Sequence, residues 1–391
     1  MRRARWERNK MASAGSSSRS AIGVRRRAWP IRLAYVPAAI ACAPLAAAQQ
    51  SSPPSSSAAS APTPAQEDTR WTVPAGAKVI IDRRTGIASG TLATEPVIGS
   101  PEHLALLNDF RLHPYAGTGP YPAVRVEPAS APMHTLYYPA DQAKAGKLPI
   151  ILWANGNCRN TSVQYTRFLG EVASHGYFVV ANGRNDIPYF GLPVLVAPKP
   201  GDQRPIRAVN DPALLIAGLE WAIREDARRG GPYYKRLDTA HVVAIGQSCG
   251  GVQAFRAAKD PRIRAVAVLN NWFPFEAPNP NPANPPLPEW SANRLNIPGA
   301  MFTGGPIDLA YILAENAFAA IPEGVPVVKV HIPAMGHTGA YPRPDPRWTG
   351  AVVSWLDWVA KGSQAGRAAF AGPRCGLCGD KDVWLETKGI D

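Results

Sequence analysis

Seven short runs with strand character punctuate the chain between residues 134 and 332, and their spacing narrows the possible folds more than any other feature. They are HTLYYP (134–139), LPIILWAN (148–155), YFVVAN (177–182), HVVAIG (241–246), IRAVAVLN (263–270), GAMFTG (299–304) and VPVVKVHI (325–332). Several are apolar almost without interruption, as strands covered on both faces must be. Segments of helical character lie between them. Residues 162–175 place apolar side chains at helical spacing and stop at Gly176, and residues 211–229 open on Asp-Pro and close on arginines. VQAFRAA (252–258) and WTGAVVSWLDWVAKG (348–362) continue the alternation. Strand followed by helix, repeated, predicts an α/β fold: a mostly parallel central sheet with helices on both faces. No period of 20–50 residues is visible, which argues against solenoids and propellers.

The N-terminal part reads differently. Of the net charge of +13, residues 1–32 carry +9, so the remainder is only mildly basic and offers no footprint for nucleic acid. Arg25–Arg27 and Arg32 precede LAYVPAAIACAPLAAA, a 16-residue apolar stretch that ends in small residues at Ala48. A positive segment, an apolar segment and a small-residue end predict a signal peptide over 1–48. The stretch is short for a membrane span and is interrupted by Pro37 and Pro44. Cys42 makes a poor lipoprotein site, and Met11 is an alternative start. Residues 49–70, rich in Ser, Pro and Ala, read as a linker. One catalytic domain is then expected over 71–391. The expected compartment is secreted or periplasmic, with no stable membrane insertion after cleavage near Ala48.

Within the fourth apolar run the chain reads Gly246-Gln247-Ser248-Cys249-Gly250, a G-x-S-x-G pattern. Alone it is weak. A buried strand leads into it and a helix leads out, which is the strand–turn–helix of a nucleophile elbow. A serine hydroxyl needs a base to take its proton. In this architecture the acid and then the histidine follow the serine in sequence. His331 and His337 are the histidines downstream of Ser248. His331 lies inside a strand and is expected to pack there, whereas His337 lies in the loop just past the last strand, where the base belongs. Asp308, after a strand and two glycines, is the expected orienting acid, with Glu276 in a Pro/Asn-rich loop as its rival. A tetrahedral intermediate also needs two backbone donors. The amide of Cys249 supplies one, and the loop ANGNC supplies the other, with Asn157 the candidate.

At these residues the chain resembles the α/β-hydrolase superfamily, in particular cutinase-like polyester hydrolases and chlorophyllase-like and dienelactone-hydrolase-like esterases that lack a separate lid domain. LPIILWANGN…FLGEVASHGYFVVAN, LDTAHVVAIGQSCGG and the Asp308/His337 tail carry the resemblance, which spans roughly residues 130–360. It is also similar to a group of bacterial and fungal hydrolases sharing SCGG and a CGLC C-terminus. The resemblance implies a Ser248–His337–Asp308 triad and an oxyanion hole at Asn157 and Cys249. Similar polyester hydrolases carry a tryptophan on substrate after a comparable strand, which makes Trp272 a substrate-binding candidate, with packing as the equal alternative. Trp153, within a strand, is expected in the core. Cutinase-like enzymes typically have Met after the serine and an aromatic after the oxyanion-loop glycine, so Cys249 and Asn157 depart from that pattern. The Pro-rich 273–297 segment looks like an insertion.

Four cysteines follow residue 48: Cys158, Cys249, Cys375 and Cys378. Export permits disulfides. Cys375–Cys378 is expected to close on itself, since no second metal-ligand pair lies nearby. Cys249 serves either as a small apolar neighbour of the nucleophile or as a tie to Cys158. The expected activity is hydrolysis of small-molecule or polymeric carboxylic esters of short or medium chain, by a monomer without metal or organic cofactor. Acyl transfer or amide cleavage by the same triad, and a non-catalytic binding protein on the same scaffold, are the alternatives.

Overall fold

The computed structural model describes residues 78–81, 88–91, 100–159, 161–185, 212–275, 291–333, 335–338, 341 and 345–390. The signal peptide, the linker, the boundary at residue 71, Glu276 and most of the Pro-rich insertion lie outside the described residues.

A short antiparallel hairpin, β1 (Lys78–Ile81) with β2 (Ala88–Thr91), precedes the main body. Helix α1 (Pro101–Leu112) starts where Ser100 caps the His103 amide and Pro101 occupies a position that needs no amide donor. The remaining strands are β3 (Ala123–Val126), β4 (His134–Pro139), β5 (Leu148–Ala154), β6 (Phe178–Asn182), β7 (Leu237–Gln247), β8 (Ile263–Leu269), β9 (Gly299–Thr303), β10 (Val327–His331) and β11 (Trp384–Lys388). They form one nine-stranded sheet in the order β11-β10-β9-β8-β7-β5-β6-β4-β3. The six strands from β10 to β6 are mutually parallel. β3, β4 and β11 join antiparallel at the margins. This is a mixed α/β fold with a mostly parallel sheet, compatible with the α/β-hydrolase arrangement.

The alternation of side chains along each strand divides the core in two. Ile151 and Trp153 of β5, Val179 of β6 and Val243 and Ile245 of β7 face one layer. There they meet α3 (Thr166–Ser174) through Phe168, Leu169 and Val172, and α7 (Pro346–Lys361) through Trp348, Val352, Trp355 and Leu356. Ile150, Leu152, Val180, Val242 and Ala244 face the other layer. Here α4 (Pro212–Ala227), α5 (Cys249–Ala257) and α6 (Tyr311–Ala320) cover them through Leu215, Leu219, Phe255 and Phe318. Because both faces are covered, these strands read as continuous apolar runs. Each large side chain buried this way contributes roughly 1.5–3 kcal/mol.

The strand expectations hold within a few residues, and Trp153 is fully buried as expected. Helix α3 begins at Thr166 rather than at 162, because Val163–Tyr165 form a separate tight turn. Helix α5 starts at Cys249, three residues before the apolar periodicity becomes visible, because two glycines stand there. The short helices α2 (Gln142–Ala145) and α8 (Gln364–Ala368), like β3 and β11, carry too little periodicity to announce themselves.

Candidate active site

Strand β7 ends in a sharp turn at Ser248, whose backbone sits at φ 50°, ψ −124°. That region is strained for any residue with a Cβ. The turn is anchored where the Ser248 amide donates to Leu269 O of β8 at 2.9 Å. The two motif glycines allow the closeness it needs. A Cβ on Gly246 would lie 2.1 Å from Gly250 O, and one on Gly250 would lie 2.1 Å from Ala154 O of β5. Helix α5 therefore starts pressed against the end of β5, with its first turn beside the serine.

His337 stands in the loop after β10. Its Nε2 is 3.0 Å from Ser248 Oγ and its Nδ1 is 2.7 Å from Asp308 Oδ1. Asp308 follows the tight turn Gly305–Ile307 after β9 and is 1% exposed. Its Oδ1 also accepts from the Ala310 amide, and Oδ2 accepts from the Gly304 amide and from Asn270 Nδ2. Burial alone would raise this carboxyl. The facing His337 and the amide hydrogen bonds outweigh burial and hold it below the usual carboxylate range. The His337 side chain is 18% exposed, so this cluster meets solvent at the histidine and is closed beneath Asp308.

Side chains that the sequence did not single out hold these loops in place. Asn270, in a left-handed conformation at the end of β8, donates to Asp308 Oδ2 at 2.6 Å and to Gly336 O at 2.9 Å. It thereby ties the acid loop to the histidine loop. Its own oxygen accepts from the Tyr341 hydroxyl at 2.6 Å. Burial, with Tyr165 and Asp308 nearby, pushes the Tyr341 phenol well above its ordinary value, so it remains a donor. Gln247, between the first motif glycine and the serine, donates to His337 O at 3.1 Å and accepts from the Tyr165 hydroxyl at 2.7 Å. Asn271 donates to Ser248 O. The only signal for this set was polar residues at the ends of otherwise apolar strands, the two asparagines of LNN (269–271) and the Gln of GQS among them.

Tyr341→Phe is expected to lower stability by roughly 1–3 kcal/mol, because it leaves the buried Asn270 Oδ1 without a donor. The urea midpoint measures this, and an unchanged midpoint would show that the bond contributes nothing.

The loop after β5 carries the second expected donor. The Gly156 amide donates to Tyr165 Oη at 2.8 Å and is thereby occupied. Asn157, at φ 53°, ψ 19°, is exposed. Among the described residues no protein acceptor takes the amides of Asn157 or Cys249. Cys158 and Cys249 form a disulfide with their Cα atoms 5.4 Å apart, so this loop and the residue after the serine are covalently joined. Cys249 is therefore a tie to Cys158 rather than a simple apolar neighbour. Cys375 and Cys378 form the second disulfide, as expected.

No protein-family model matches this chain, and no curated protein does. The arrangement itself sets what chemistry is open to it: a hydroxyl, an imidazole and a buried carboxylate in one hydrogen-bonded line. Among the described residues no cluster of His, Cys, Asp and Glu has the makings of a metal site. No helix among them is long and apolar enough to cross a membrane. The two disulfides are compatible with a secreted protein.

Trp272 lies partly buried at the edge of the core layer formed with α5, and its amide donates to Asn271 Oδ1 at 2.8 Å. His331 is fully buried in β10, where it bonds Thr303 through Nδ1 and Glu315 through Nε2 at 2.7 Å. Lys329, 1% exposed, pairs with Glu315 and Glu386. Burial lowers the proton affinity of His331. Burial would raise Glu315, yet hydrogen bonds from His331 and Lys329 and the lysine charge bring it down to about 2.

Both shifts have the same sign for stability. The unfolded chain takes up a proton at a histidine below pH ~6.5, which folded His331 resists, and at a glutamate below pH ~4.5, which folded Glu315 resists until about 2. The stability these two groups contribute is therefore full above pH ~6.5 and falls as pH drops below that value. Urea midpoints across this range should fall less steeply in His331→Gln than in the wild type. Equal slopes would remove His331 from the cause.

Proposed function

We propose that this protein is an exported serine hydrolase of the α/β-hydrolase type that cleaves carboxylic esters through an acyl-enzyme. The observation that carries the proposal is the continuous line Ser248 Oγ–His337–Asp308, with contacts of 3.0 and 2.7 Å, at a strained elbow between β7 and α5. In this proposal His337 Nε2 takes the hydroxyl proton as Ser248 Oγ attacks the ester carbonyl, while Asp308 holds Nδ1–H and stabilises the imidazolium. The carbonyl oxygen becomes an oxyanion facing the amides of Cys249 and Asn157. His337 then returns the proton to the departing alkoxide, leaving an acyl-Ser248 and an alcohol. Water, deprotonated by the same nitrogen, attacks the acyl group and releases the acid with Ser248 regenerated.

Trp272, partly buried against the core after β8, is the proposed substrate contact. Short- and medium-chain esters, including polyester units, are the proposed substrates, with export to the periplasm or beyond following from residues 1–48. Hydrolysis of p-nitrophenyl acetate, butyrate, octanoate and palmitate, with mass spectrometry after a fluorophosphonate probe, tests the proposal. The expected outcome is turnover that favours the shorter chains and one covalent adduct on Ser248. No turnover and no adduct would overturn it. Turnover of anilides in preference to esters would replace the ester with an amide.

A further inference from the structure

Consecutive left-handed residues that are not glycine are costly, by roughly 1–2 kcal/mol each for most side chains. Asn157 and Cys158 are such a pair, at φ 53° and φ 52°. Backbone of this kind persists only where its surroundings leave it no alternative. Hydrogen bonds fix both ends of the turn. Asn155 Nδ2 donates to Arg159 O at 3.0 Å and to Asn182 O at 2.7 Å, and the Gly156 amide donates to Tyr165 Oη. The Arg159 amide closes the turn on Gly156 O at 3.2 Å. The tip is held differently. It is joined to the elbow by the bond from Cys158 to Cys249, while the base of the turn reaches the elbow through the Gly156 amide on Tyr165 Oη and the Tyr165 hydroxyl on Gln247 Oε1. Each partner in that disulfide is, or adjoins, one of the two residues whose amides face the oxyanion in the proposed mechanism.

We propose that the Cys158–Cys249 disulfide is a positioning device for the oxyanion hole, so that full turnover requires the oxidised protein. The inference rests on the ester-hydrolase function above and adds a redox condition to the same site. The mechanism is geometric. With the bond intact, the two amides keep a fixed separation. Without it, the Asn157–Cys158 pair relaxes toward an unstrained conformation and one donor swings away from the oxyanion. Losing one such donor lowers kcat by about 10²–10³-fold. Substrate binding in the ground state, which makes little use of that donor, changes little, so KM stays near its starting value.

The chemistry balances as an ordinary exchange. A thiolate of a dithiol attacks one sulfur and forms a mixed disulfide. The second thiolate of the reductant then displaces the protein sulfur, leaving two cysteine thiols and a cyclic disulfide, with two electrons and two protons passed to the protein. Glutathione disulfide reverses this, taking two electrons and two protons to become two glutathione molecules.

The experiment uses the full chain carrying Cys375→Ser and Cys378→Ser, which removes the second disulfide and leaves Cys158–Cys249 as the bond to be reduced. Dithiothreitol is titrated under native conditions, with free thiols counted by alkylation and mass spectrometry, and circular dichroism follows the fold. At each stage kcat and KM for p-nitrophenyl butyrate are measured. The expected result is a fall in kcat of about 10²–10³-fold that tracks the fraction reduced, with KM within about threefold. Full recovery is expected on reoxidation by glutathione disulfide. Cys158→Ser should show the same low kcat and no response to dithiothreitol. An active protein whose kcat is indifferent to complete reduction overturns the proposal alone. So does loss of the folded signal in parallel with activity, which would make the bond a staple of the fold. An oxidised protein inert to both ester and fluorophosphonate overturns the hydrolase function and this proposal with it.

Discussion

Ser248→Ala is expected to lower turnover of p-nitrophenyl butyrate by roughly 10⁴- to 10⁶-fold while leaving the protein folded. The size of the effect follows from how the site is built. His337 Nε2 addresses one oxygen, Ser248 Oγ at 3.0 Å, and the remaining members of the line have no reacting atom of their own. In the proposed mechanism, removing that oxygen removes the acyl-enzyme route and leaves only water attack at the proposed oxyanion hole. The fold should tolerate the change well. No side-chain cap depends on the Ser248 hydroxyl, and the strained backbone is secured by Leu269 O and by Asn271 rather than by Oγ. The measurement is kcat/KM together with loss of the fluorophosphonate adduct and an unchanged circular-dichroism melt. Activity near that of the wild type would remove Ser248 from the chemistry.

Asp308→Asn is expected to lower kcat by about 10⁴-fold, because the wrong histidine tautomer then faces the serine. Asp308 spends both oxygens as acceptors, toward His337 Nδ1, the Ala310 and Gly304 amides and Asn270 Nδ2. An asparagine has one acceptor oxygen and one donor group. If its NH₂ replaces Oδ1, it faces His337 Nδ1 and turns that nitrogen into an acceptor, which leaves Nε2 carrying the proton it should receive. If its NH₂ replaces Oδ2, it opposes two other donors in a fully buried pocket, at a further expected loss of about 1–3 kcal/mol of stability. The large loss of turnover belongs to the first orientation, which opposes one donor, the Ala310 amide, rather than two; the second keeps Nδ1–H on an oxygen and loses only the carboxylate charge, and the urea midpoint distinguishes the two. Glu276→Gln serves as the comparison. If that variant were the inactive one and Asp308→Asn stayed active, the acid would belong to the loop after β8.

Much of the fold was legible because burial on both faces leaves a direct trace in the chain. β5, β6, the second half of β7 (242–246) and β8 apart from Arg264 are apolar at nearly every position, since each pleat face meets its own helical layer. Likewise, Ser248, Asp308 and His337 each follow a recognisable strand, and their order along the chain is the order in which β7, β9 and β10 deliver them to one end of the sheet. The helix start at Cys249 and the antiparallel margins were not legible, because a glycine pair and short amphipathic strands have no distinctive period.

Sequence alone determined the alternation of strand and helix, the elbow at Ser248, and which residues of suitable chemistry stand after which strands. These are local properties, set by side-chain periodicity and by glycines at fixed offsets. Only the tertiary structure decided that Cys158, 91 positions before Cys249, comes within bonding distance of it. The same is true of Asn270 tying Asp308 to Gly336, and of Gln247 joining the Tyr165 and His337 segments. Those contacts depend on β5, β7, β8 and β9 lying side by side, with β6 set on the other side of β5, and a hydrogen bond or disulfide between distant segments leaves no periodic mark on either of them.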